Sequence, residues 1–71
     1  MAGDDFARGD TVEWNSHGDR VTGTVLRKIT ERTEAAGRTV VASKEEPQYL
    51  VRSDATGAEA VHRPSALHRT G

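Results

Sequence analysis

Apolar residues in this chain recur at period two, no stretch sustains helical spacing, and each short run is closed by glycine, aspartate or proline. Alternation of this kind gives a strand one apolar and one polar face. The cleanest case is Thr11-Val12-Glu13-Trp14, opened by Gly9-Asp10, which predicts a strand over residues 10–15. Asn15-Ser16-His17-Gly18-Asp19 is rich in turn formers and predicts a tight reversal. Residues 20–30 read as the longest strand: Val21, Gly23, Val25 and Ile29 share one face, Leu26 falls on the other, and Arg27 intrudes on the first. A strand that must change the face it buries needs a bend, an internal glycine marks a bend, a bulge or a close backbone approach, and Gly23 is expected to sit where the strand bends and neighbouring backbone crowds in.

Residues 31–37 lack apolar spacing and read as a loop. A short β-branched run predicts a third strand over 38–42, interrupted by Ala42-Ser43-Lys44-Glu45-Glu46-Pro47, where Glu46 is biased to extended geometry by the proline that follows. Residues 48–53 form a fourth strand, Asp54-Ala55-Thr56-Gly57 a type I turn, and residues 58–62 the returning partner. Pro64-Ser65-Ala66-Leu67 suits one short C-terminal helical turn with Leu67 as a plug. Flexible ends are expected over 1–5 and 68–71, around a single domain at 6–67, with Phe6 in a loose N-terminal segment. Val12, Val21, Val25, Val51 and Leu67 are expected in the core. The fold class that follows is all-β: a small five-stranded antiparallel barrel of SH3 or Tudor type, because closure hides strand edges in so short a chain.

Core material is scarce. Nine of the 24 hydrophobic residues are alanine, leaving 15 large apolar side chains for 71 residues, and a domain this size is marginal without a staple. There is no cysteine, which excludes disulfides and thiolate metal sites and fits a cytoplasmic location. No apolar run approaches the roughly 18 to 20 residues of a membrane span, and Met1-Ala2-Gly3-Asp4-Asp5 has neither the basic nor the apolar stretch of a signal peptide, so export is not expected. Net charge is -1, divided as -4 over residues 1–19 and +3 over residues 20–71. That is far from the basic footprint of a strong nucleic-acid binder.

Gly9-Asp10-Thr11-Val12-Glu13-Trp14-Asn15, Gly23-Thr24-Val25, the run from Ala42-Ser43-Lys44 through Pro47-Gln48-Tyr49-Leu50-Val51, Ser53-Asp54-Ala55-Thr56-Gly57 and Ala60-Val61-His62-Arg63-Pro64-Ser65-Ala66-Leu67 together resemble the hypervirulence-associated protein family with a Tudor-like domain, small bacterial and fungal proteins. The likeness extends from about Phe6 to Leu67. It implies the small barrel and no particular activity, since a Tudor-like shape does not carry a ligand with it. Family members often have a basic residue where this chain has Ala55.

Residues 43–49 are the densest polar run that the fold does not obviously require. Ser43, Lys44, Gln48 and Tyr49 present donors and acceptors suited to a ligand-facing loop, and the same groups suit a structural clip on a strand connection. With Trp14, His62 and Arg63 on the adjacent rim they form the expected site of a binding module that recognises a protein or peptide. The alternative is weak, salt-sensitive RNA or DNA binding through the basic strand faces, with Arg27, Lys28 and Arg52 on phosphates and an exposed aromatic on bases. An aromatic cage would have only Phe6, Trp14 and Tyr49 to draw on. His17, His62 and His68 lack metal-ligand spacing, and no cofactor is expected. A trio such as Ser43, His62 and a carboxylate would need a deep cleft that so small a barrel has no room for, so no catalysis is expected.

Overall fold

A computed structural model describes residues 5–70, so the flexible ends expected at residues 1–4 and 71 lie outside the described residues. β1 (Thr11–Ser16) and β2 (Asp19–Ile29) are joined through His17 and Gly18, both at positive φ (51° and 86°). Two consecutive residues of that kind give the mirror-image turn whose twist matches antiparallel strands. β3 (Thr33–Ala35) and β4 (Arg38–Val40) form a second hairpin around Ala36 and Gly37, with the same signs of φ. β5 (Gln48–Ser53) and β6 (Glu59–His62) follow the expected pairing, then a 3-10 turn at Pro64–Ala66 leads into β7 (His68–Arg69).

The main sheet is antiparallel with order β6-β5-β2-β1-β7, and β3-β4 stand apart as a two-stranded sheet. The all-β, antiparallel reading therefore holds, while the closed barrel does not. No hydrogen-bonded pairing joins β6 to β7. A two-residue β7 reaches only β1, and side chains close the gap instead: Leu67 belongs to the same buried cluster as Trp14 and Val51, and Ala60 packs against it.

The face change in β2 is made by a bulge. Val25 pairs with Val51, but Arg27 pairs with Leu50, leaving Leu26 without a partner. One extra residue inverts the alternation beyond it. Val25 accordingly joins Phe6, Val12, Trp14, Tyr49, Val51 and Leu67 in one cluster, and Ile29 joins Val40 and Val61 in another. Gly23 is not the bulge. It is a point of close approach, where a β-carbon would collide with the Arg52 carbonyl and come within 2.5 Å of the Trp14 ring.

Four further expectations are corrected. Residues 31–37 are not all loop, since Thr33–Ala35 pair with Arg38–Val40; the strand is too short and its buried contribution too small to show as a pattern. The strand expected at 38–42 ends at Val40 and lies outside the main sheet, whose remaining strand is β7. His68 and Arg69 are paired with Glu13 and Val12, and Phe6 is buried, because the two ends of the described chain hold each other. Arg69 donates to the Asp5 carbonyl (2.9 Å) and to Asp10 Oδ2 (3.1 Å), and its guanidinium lies 5.2 Å from the Phe6 ring centre. Val12, Val25, Val51 and Leu67 are buried as expected, while Val21 is half-buried at the cluster's margin.

Candidate recognition groove

Ahead of Pro47, residues 43–46 close on themselves. The Glu46 N–H donates to Ser43 Oγ (3.0 Å) and the Ser43 N–H donates to the Glu46 carbonyl (3.2 Å). Gln48 Nε2 donates to the Val41 carbonyl (3.0 Å), tying the exit of the loop to its entry. Tyr49 is fully buried, its hydroxyl donating to Asp5 Oδ1 (3.0 Å) and accepting from the Phe6 N–H (3.2 Å). The polar groups of Ser43, Gln48 and Tyr49 are thus engaged within the fold, and what the loop turns outward are Lys44, Glu45 and Glu46.

An open groove of about 370 Å³ runs beside this loop, flanked by Glu45, Glu46, Pro47 and Gln48 on the chain entering β5 and by Arg63, Pro64 and Ser65 on the chain leaving β6. Val41 lies in it. Val40, the last residue of β4, is buried against Ile29 and Val61, and the next residue along an extended chain points the other way, so Val41 is 71% exposed, the one exposed large hydrophobic side chain among the described residues. Both prolines of the chain line the same groove.

Trp14 is not on its rim; it is 4% exposed in the main cluster. His62 packs behind, its ring 5.4 Å from the Trp14 ring and tilted by 42°. Its Nε2 is buried without a hydrogen-bond partner among the described residues. Burial, and then the positive charge of Arg38, hold the imidazole below its ordinary proton affinity.

The basic residues divide, with Arg27 and Arg52 on one face of the main sheet and Lys28 on the other. Lys28 stands opposite Tyr49 on the main-cluster face, with its Nζ 2.7 Å from Asp5 Oδ1. That hydrogen bond raises the Lys28 pKa and lowers that of Asp5. Beyond the bulge, Arg27 shares its face with Leu50 instead, and Arg52 lies across from Thr24 and Glu59.

Residues 9–67 match the family model for the hypervirulence associated proteins TUDOR domain. The chain belongs to that family. No curated protein and no solved structure matches it. Tudor-like domains are in general binding modules for proteins or nucleic acids and in general non-catalytic. In this Tudor domain all three aromatic side chains are buried, so none offers an open face to a cation or a base. Among the described residues there is no His, Cys, Asp or Glu cluster able to hold a metal, and no helix is long and apolar enough to cross a membrane. Of the residues expected at the site, the groove brings together Gln48 and Arg63; Ser43 and Lys44 stand in the loop beside it, Trp14 and Tyr49 are buried in the main cluster, and His62 packs against Trp14. Val41 and Pro64 were not expected there. Their signals were the Val40-Val41 doublet, of which a strand can bury only one on a given face, and the proline following Arg63.

Proposed function

We propose that this Tudor domain is a non-catalytic module, working in the cytoplasm, that recognises a protein or peptide segment at the groove between the 43–49 loop and the chain after β6. The observation that carries the proposal is Val41: an exposed apolar side chain in a concave site with two prolines, where burial against a partner returns free energy that folding left unused. The clip inside the loop supports it, because Ser43 and Gln48 hold the backbone while the side chains of Lys44, Glu45 and Glu46 have no hydrogen-bond or ion-pair partner among the described residues.

The test is capture from a cytosolic extract divided into nuclease-treated and untreated halves, with wild type beside Val41→Ser. Proteins retained from both halves by wild type and lost with Val41→Ser, at unchanged Tm, are the expected result. Capture that vanishes with nuclease, survives Val41→Ser and fails when Arg27 and Arg52 become alanine would replace this reading with nucleic-acid binding.

A further inference from the structure

The groove's charged residues differ from the ion-paired ones elsewhere in the described chain. Asp5, Asp10 and Glu13 each hold a cation, on Lys28, Arg69 and Arg20 respectively. Glu45, Glu46 and Arg63 line the groove with no ion-pair partner among the described residues. They are also sorted. The two carboxylates precede Pro47 on the chain entering β5, the guanidinium precedes Pro64 on the chain leaving β6, and Val41 is the exposed apolar residue of the same lining.

We infer that the groove takes an extended peptide in which an apolar side chain sits between a basic and an acidic residue, the basic one against Glu45 and Glu46 and the acidic one against Arg63. This rests on the peptide-recognition reading above and adds the partner's charge order to it. Complementary charge fixes direction and excludes wrong partners more than it adds affinity, so the two flanks orient a segment whose apolar residue supplies the contact with Val41. A phosphate backbone fits poorly, because the pair of carboxylates would repel it. All four side chains concerned are exposed and no side-chain hydrogen bond ties them to the fold, so they can be altered without touching the core.

The experiment uses short end-capped fluorescent peptides with a central leucine and basic, acidic or uncharged flanks in every combination, titrated with the full chain by polarisation. Wild type is expected to favour one basic-apolar-acidic order, losing roughly two- to fivefold in affinity for each charge neutralised, and to lose that preference in high salt. A chain carrying Glu45→Lys, Glu46→Lys and Arg63→Glu, with unchanged Tm, should prefer the opposite order. Binding that ignores the flanks but disappears in Val41→Asp would overturn the charge order while leaving peptide recognition standing. Peptides that bind Val41→Asp as well as wild type would remove both readings. A single-stranded oligonucleotide that outcompetes every peptide would also overturn the inference.

Discussion

Gly23 has no room for a β-carbon, and what crowds it cannot move away: the Arg52 carbonyl belongs to the β2–β5 ladder and Trp14 is packed on every side. Gly23→Val is therefore expected to cost about 2 kcal/mol or more by overpacking, read as a fall in the denaturation midpoint; an unchanged midpoint would mean that the indole can vacate its place. His62 supplies a second residue-scale expectation. Its proton affinity is lowered in the folded state, so on acidification the unfolded chain takes up the proton first, and stability falls as the pH drops from the ordinary histidine value of 6.5 toward the lower folded value. His62→Phe keeps a ring against Trp14 and removes the titration. Between pH about 7.5 and about 5.5 its Tm should fall less than that of wild type; equal falls would assign the pH dependence to other groups.

At the scale of elements, the bulge at Leu26 decides which residues of β2 face which cluster. Inserting one residue between Arg27 and Lys28 would return Ile29 to the face of Val25 and strip the second cluster of one of its three buried residues, whereas deleting Leu26 leaves the partners of Arg27, Lys28 and Ile29 unchanged. The chain with the insertion is expected to lose its cooperative melt, whereas Leu26→Ala, which keeps the register, should fold. The 43–49 loop separates in the same way into parts that hold and parts that are free. Ser43→Ala and Gln48→Ala each remove a hydrogen bond to the backbone and should cost about 0.5–1.5 kcal/mol. Lys44→Ala should stay within about 0.5 kcal/mol, as ordinary surface changes do. Thermal melts of the three variants check this, and a Gln48→Ala chain as stable as wild type would return Gln48 to direct partner contact.

For the whole molecule, the open sheet is held at one end by a clasp between the two ends of the described chain. Asp5 reaches Lys28 and Tyr49, Tyr49 takes the Phe6 N–H, and Arg69 spans Asp5, Phe6 and Asp10. The Phe6 and Tyr49 rings meet edge to face with their centres 5.4 Å apart. Tyr49→Phe keeps that packing but leaves the Phe6 N–H without its partner, so a loss of about 1–3 kcal/mol is expected. Amide exchange should quicken together at Phe6 and at the β1–β7 contacts if the clasp acts as one unit. Exchange that changes only at Phe6 would show the contacts to be independent.

Alternation and turn chemistry are local, and they determined most of the strands. Residues 48–53, the reversals at 15–19 and 54–57, and the burial of Val12, Val25, Val51 and Leu67 could all be read from neighbours in the chain, whereas the choice between loop and clip at Ser43 and Gln48 stayed open. Contacts between residues distant in sequence leave no such periodic trace. The bond from Tyr49 to Asp5 spans 44 residues, and from Phe6 or Arg69 alone nothing announces that the described ends pair, that Trp14 is sealed in the core, or that side chains finish a sheet which hydrogen bonds leave open. The groove was divided between the two. Its charges and prolines lie in the sequence, but only tertiary structure decided that Val40 would be covered by packing against Ile29 and Val61 and that Val41, facing the other way, would be left to solvent beside Arg63.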